Sequence, residues 1–258
     1  MSRLALSNRA SLAYQLRYAV RHPGRIGPYF RRLYRDWRLR RQTGDNHVSY
    51  YRAVMKHDTA KSPESAVGSA THDRWLALGQ MQFDYLVKHG LTPDDRMLEI
   101  GCGNLRAGRL FIDYLNTDHY YGIDISPEIL LAAQETLVSH DLQGKLPHLT
   151  LVDDLRLAHL PEHHFTVVHA HSVFSHSPIT VIEECLKHVG RVLAPGGFFD
   201  FTYNRTDGDE HHVLREDFYY RTDTLLALAK ANGLAARAMT DWDELPHKQS
   251  KIRVAHPD

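Results

Sequence analysis

The chain has only two cysteines, Cys102 and Cys185, in 258 residues. One falls in a glycine-rich turn and the other in a segment that reads as an amphipathic helix. A disulfide framework is therefore not expected, and a reducing compartment fits. So few thiols also count against thiolate metal cages and thiol nucleophiles. No run approaches the roughly 20 apolar residues of a bilayer-spanning helix, and no apolar stretch follows Met1 to act as a secretory signal, so the expected location is the cytoplasm. Repeats and low-complexity tracts are absent. Acid is nearly missing from residues 1–44, which hold eleven arginines, no lysine and one carboxylate, Asp36. The overall formal charge of zero thus hides an arm of +10 on a body of −10, a segregation that suits an anionic partner or docking on the chain's own acidic body.

What is present is most informative at Met97-Leu98-Glu99-Ile100-Gly101-Cys102-Gly103-Asn104, followed by Tyr120-Tyr121-Gly122-Ile123-Asp124. An apolar strand enters a Gly-x-Gly turn that opens a helix, and a second apolar strand ends in an acid. The glycines let main chain approach a ligand, and the acid is placed to accept ribose hydroxyls. A nucleoside cofactor is implied. A dinucleotide fold would want a third glycine where Arg106 stands, and Glu99 fits a cationic ligand better than a pyrophosphate.

In these residues the segment resembles the E/D-x-G-x-G signature of class I S-adenosylmethionine-dependent methyltransferases. The resemblance continues through Leu149–Asp154 (third strand), Phe165–His176 (fourth strand and its loop) and Val189–Phe199 (helix end, Pro-Gly-Gly turn and fifth strand). It covers roughly residues 93–258, with Leu105 departing from a third glycine common in the family. It implies an α/β, Rossmann-like, mostly parallel seven-stranded sheet with an antiparallel edge hairpin, preceded by N-terminal helices. It also implies S-adenosyl-L-methionine as cofactor, held by Glu99, Gly101, Cys102, Gly103, Asn104, Asp124, Ile125, Asp153, Asp154, Leu155 and His171.

Along the chain, three parts are expected: a basic, aromatic helical arm over 1–44, a helical lid over 45–92 and the cofactor domain over 93–258. Apolar periodicity and breakers predict helices near 7–21, 29–41, 45–61, 71–89, 105–116, 127–140, 178–191 and 221–232, with a loop at Ser62–Ser65. Strands are expected near 96–101, 120–124, 149–153, 166–171, 197–203, 235–241 and 250–255, the last two as a hairpin.

Methyl transfer to an alcohol needs alignment and a base. Ligands of open α/β sheets lie beyond the carboxyl ends of the strands, which points to His171 and His176 as catalytic candidates, His171 first. His169 and His171 share a strand face, yet the carboxylates of metal-dependent relatives are not where the pattern would put them, so no metal is expected. Residues 207–212 read as a solvated acidic loop. The expected reaction is O-methylation of a small or lipid-linked, glycan-type acceptor. The competing readings are an RNA or protein methyltransferase that binds substrate through its arm, and a cofactor-binding scaffold without transfer. For residues 1–44 the partner favoured by interleaved arginines and aromatics is an anionic membrane surface at the cytoplasmic face, ahead of nucleic acid. Oligomeric state is not legible.

Overall fold

The computed structural model describes residues 26–44, 46–245 and 247–257. The helix expected at 7–21, with Tyr14 and Tyr18, lies outside the described residues. Among the described residues, four helices precede the sheet: α1 (Ile26–Thr43), α2 (His47–Thr59), α3 (Pro63–Ala66) and α4 (His72–Lys88). Asn46, Ser62 and Thr71 start the last three by accepting the amides of Ser49, Ser65 and Arg74, which satisfies donors that a helix end leaves orphaned. The short α3 occupies the expected loop at Ser62–Ser65: Ser62 followed by Pro63 is an N-cap followed by a proline that needs no amide partner.

The sheet strands are β1 (Met97–Ile100), β2 (Tyr120–Asp124), β3 (His148–Leu151), β4 (Phe165–Ala170), β5 (Leu193–Arg205), β6 (His211–Val213), β7 (Asp217–Tyr220), β8 (Ala235–Ala238) and β9 (Ser250–Ala255). Helices α5 (Gly108–Tyr114), α6 (Pro127–Ser139), α7 (Ile179–Val192) and α8 (Thr222–Ala231) join them. The order is β3-β2-β1-β4-β5-β7-β6, with β9 pairing β5 and β8. The pairs β3-β2, β2-β1, β1-β4, β4-β5 and β5-β7 are parallel, while β5-β9, β8-β9 and β6-β7 are antiparallel. Every residue of β1 is buried, as a central parallel strand covered on both faces requires. Helix α7 seals one face with Ile182, Cys185, Leu186, Val189 and Val192, spaced by three and four.

Two details differ from expectation. Among the described residues the sheet has nine strands rather than seven, because residues 211–220 form the β6–β7 hairpin, which begins inside the loop expected over 207–212. Phe218 and Tyr220 are buried while Asp217 and Tyr219 are partly exposed, so the alternation is real but only four residues long. Helix α5 starts at Gly108 rather than 105 because Leu105 has φ +62°, which no right-handed helix accommodates.

The strand order reverses at β1, with β2 on one side and β4 on the other, and ligands of open α/β sheets bind at such a point. Helices α2–α4 lie over that point, and α1 packs beside α2.

Candidate active site

The turn after β1 must bring main chain close to a ligand. Gly101 and Gly103 have φ of +70° and +55°, a region that strains any residue with a side chain. A Cβ on Gly101 would lie 2.4 Å from Val173 Cγ2, and one on Gly103 would lie 2.8 Å from Val67 Cγ1. Leu105 takes, under strain, the left-handed backbone that a third glycine would supply freely.

Asp124 fastens this turn to the end of β2. Its Oδ2 accepts the Gly103 amide at 3.0 Å and its Oδ1 the Ser126 amide at 2.9 Å. Burial pushes its carboxyl up, opposed by those amides and that of Ile125. A carboxylate offers about four acceptor positions, so with three amides directed at it one remains for a ligand.

Glu99 and Arg106 form the adjoining corner. The Tyr120 hydroxyl donates to Glu99 Oε2, and burial pushes the Glu99 carboxyl up to about 7 against that bond and the Arg106 charge. Arg106 donates from Nη1 to the Val67 carbonyl at 2.6 Å, and its buried Nε has no hydrogen-bond partner. Burial lowers its guanidinium to about 10. Gly108 makes room here, since a Cβ would lie 2.5 Å from the Tyr120 hydroxyl and 3.0 Å from Glu99 Oε2.

Beyond β2 and β3, Arg52 of α2 ties the lid to the sheet. Its Nε donates to the Ile125 carbonyl at 2.6 Å, and its Nη2 to the Val152 carbonyl at 3.2 Å and Asp153 Oδ1 at 2.5 Å. Asp154 accepts the Arg156 amide at 3.0 Å and so closes the following turn.

A cavity of about 770 Å³ joins these groups to a second cluster under α1 and α2. There His176 points Nδ1 at the Glu216 carbonyl (2.5 Å) and at Asp217 Oδ1 (3.4 Å). With a carbonyl as acceptor, Nδ1 carries the proton and Nε2 keeps its lone pair. The ring stacks on Tyr51, centroids 5.5 Å apart. Burial raises Asp217, but the bonds from His176 and Arg32 win and hold it below the usual carboxylate range. Arg32 bridges Glu216 and Asp217, both at 2.8 Å, and Arg35 reaches Glu216 at 2.7 Å. His47 donates Nε2–H to the His176 carbonyl at 2.9 Å, and burial keeps it neutral, down to about 4.

Of the residues expected from the sequence, Glu99, Gly101, Cys102, Gly103, Asp124, Ile125, Asp153, Asp154, Leu155, His171 and His176 all line this cavity. Asn104 does not: its Oδ1 accepts Trp75 Nε1 at 3.0 Å in a buried contact that fixes α4. His171 lies between the two clusters, its Nδ1 buried without a partner. Burial, with Arg106 and other cationic groups, presses it well below its ordinary value. His169 is turned to Gln82 Oε1 at 3.3 Å, and no three metal-ligating side chains converge among the described residues. Sequence reasoning missed Arg52, Tyr51, Asp217 and the two arginines of α1, and used Arg106 only as a missing glycine. Nothing in their spacing tells that they face one another.

Residues 98–199 match a family model described as a methyltransferase domain. Solved structures share the fold at low identity. A S-adenosylmethionine-dependent methyltransferase from Clostridium acetobutylicum is 15% identical over 79% of this chain and 99% of its own, with a TM-score of 0.58. The DhpI complex with S-adenosylhomocysteine is 15% identical over 83% and 97%, with a TM-score of 0.55. Magnesium protoporphyrin IX methyltransferase from Synechocystis, solved with bound S-adenosylmethionine, is 16% identical over 74% and 86%, with a TM-score of 0.54.

Proposed function

We propose that this chain is a class I S-adenosylmethionine-dependent methyltransferase, a reading supported by the methyltransferase-domain match over residues 98–199 and by the fold, and that it methylates a hydroxyl oxygen with His176 as the base. The residues present fit the cofactor. Its amino-acid end is a zwitterion, and the cavity offers a carboxylate, Glu99, beside an arginine, Arg106, whose buried Nε has no partner in the protein. Asp124 keeps an acceptor position for a ribose hydroxyl. Ile125, Val152 and Leu155 give an apolar wall for a purine, with Arg52 latching the lid over it. When bound, the cofactor supplies a methyl group on a sulfonium.

The observation that carries the reading of the base is the pairing of His176 with Asp217 at the far end of the same cavity. Donation from Nδ1 to the Glu216 carbonyl fixes the tautomer, so Nε2 is the atom that takes the acceptor's proton. The ionised Asp217 then stabilises the imidazolium. Positioned bases of this kind contribute about 10²–10⁴ to rate. His171 is the poorer base, since protonating it would put a charge beside Arg106 in a buried place. It serves as a neutral wall that orients the acceptor. The acceptor class that fits is a small or lipid-linked compound bearing a hydroxyl, with Tyr51 stacked on the base and lining the same cavity to hold it.

The test uses purified full-length chain, methyl-labelled S-adenosylmethionine and parallel panels of sugar, phenol, glycolipid and amine acceptors. Label is expected on a hydroxyl acceptor and lost in His176→Ala. Label on amines alone, or undiminished transfer in His176→Ala, overturns the assignment.

A further inference from the structure

We infer that the outward face of α1 is a docking surface for an anionic lipid bilayer. The helix has two faces of different chemistry. Its inner face is spent on the protein itself: Arg32 and Arg35 pair with Glu216, Asp217 and Asp58. Asp36 accepts the Tyr50 hydroxyl and Leu39 is buried. The opposite face carries Phe30, Leu33, Tyr34 and Trp37, at i, i+3, i+4 and i+7, exposed by 62, 39, 64 and 49%. Arg41 continues the same stripe and Arg38 flanks it, and both are exposed.

Four large apolar or aromatic side chains in one stripe, rimmed by cations, match a helix lying in the headgroup plane. Trp and Tyr favour that level because their rings are apolar in body and polar at the tip. Charge agrees. Residues 1–25 add Arg3, Arg9, Arg17, Arg21 and Arg25 and no acid, and cations clustered beside an apolar stripe strengthen its attraction to anionic lipid. Nucleic acid fits less well. Trp37 is already stacked against Tyr34 (centroids 5.9 Å) and covered by the Arg41 guanidinium (4.3 Å), whereas base binding needs open ring faces.

The consequence is positional. Arg32 and Arg35 on the inner face line the acceptor end of the cavity, so a bilayer under the outer face brings that end next to the lipid surface. Docking itself does not depend on the methyl-transfer reading.

The experiment is co-sedimentation of full-length protein with sucrose-loaded vesicles, one set containing phosphatidylglycerol and the other phosphatidylcholine alone. Wild type is compared with Leu33→Ser/Trp37→Ser and with Arg38→Glu/Arg41→Glu, and each variant's melting temperature and cofactor-induced thermal shift confirm that the site is intact. The expected result is partition onto the anionic vesicles, reduced roughly tenfold or more in both variants. Tryptophan emission gives a second readout. The chain has three tryptophans, and Trp75 and Trp242 are buried while Trp37 is exposed. A blue shift on adding anionic vesicles therefore reports Trp37. Equal pelleting of wild type and both variants, or no blue shift, overturns the inference. So does a wild-type self-association that the variants abolish, or RNA binding at Trp37 without vesicle binding.

Discussion

Arg32 of α1 and Asp217 of β7, 185 positions apart, meet at 2.8 Å behind His176. Arg32 and Arg35 of the basic arm are thus part of the wall of the cavity proposed to hold the acceptor, and their charge is met there by acids of the same chain. Arg35, at 2.7 Å from the buried Glu216, anchors the helix a turn further on.

Removing Arg35 leaves the buried Glu216 paired with Arg32 alone. Arg35→Ala is expected to destabilise the chain by about 1–3 kcal/mol, less than a fully buried pair because Arg35 is partly exposed. Its melting temperature should fall by several degrees, while Arg35→Ala/Glu216→Gln recovers part of the loss. Thermal unfolding of the four proteins of this cycle checks it, and an additive double variant would mean the two side chains do not interact.

Transfer should separate the two histidines. His176→Ala is expected to lower kcat by about 10²–10⁴ with cofactor affinity within twofold of wild type. His171→Ala is expected to raise KM for the acceptor and to lower kcat less. Asp217→Asn should reproduce a milder form of His176→Ala. In the native protein, the support from Asp217 persists above the ordinary carboxylate value and is lost only as pH falls through its depressed folded value. Steady-state kinetics on the hydroxyl acceptor found in the panel assay decides among them.

Cofactor affinity should depend on pH through Glu99. With its carboxyl at about 7 in the free protein, the anion that a cationic ligand needs is the minor form at pH 6 and the major form at pH 8. S-adenosylmethionine should therefore bind about tenfold more tightly at pH 8 than at pH 6. Glu99→Gln should bind weakly and without that slope. Stability of the free protein has the opposite sign. Glu99 binds its proton more firmly folded than unfolded, so its contribution declines as pH rises from about 4.5 through 7. Calorimetric titrations across this range read both.

The glycine turn gives a geometric test. Gly103→Ala places a methyl group at φ +55° and 2.8 Å from Val67 Cγ1, so cofactor binding should drop at least tenfold and stability should fall by about 1–2 kcal/mol. Adding Val67→Ala removes the clash but not the backbone strain, so recovery should be partial. Full recovery would mean the left-handed conformation carries no strain.

The end of the cavity proposed to hold the cofactor was legible because it is written in local grammar. A buried strand, a Gly-x-Gly turn and an acid closing the next strand each have sequence patterns, and Glu99, Gly103 and Asp124 all meet in the cavity. The end proposed to hold the acceptor was not legible, because it is assembled from distant pieces: Arg32, Tyr51, His176 and Asp217 come from four elements. The three- and four-residue strands β6 and β7 are too short for an alternation to stand out among histidines and acids. Asn104 shows the reverse case. Its position in the turn suggested a ligand contact, but the lid's Trp75 takes its side-chain oxygen, a contact between segments that spacing does not encode. Periodicity gave α1, yet only the partners of Arg32 and Arg35 show which side faces the body.

The most direct measurement is a thermal-shift titration of the full-length chain with S-adenosylmethionine, S-adenosylhomocysteine and NAD, run beside Asp124→Ala. A ligand at a hundred times its dissociation constant adds about 2.7 kcal/mol, a shift of several degrees for a chain of this size. The account predicts that shift with both sulfur ligands, none with NAD, and its loss in an Asp124→Ala variant that still melts cooperatively. No shift with either sulfur ligand, or an equal one in Asp124→Ala, would contradict it.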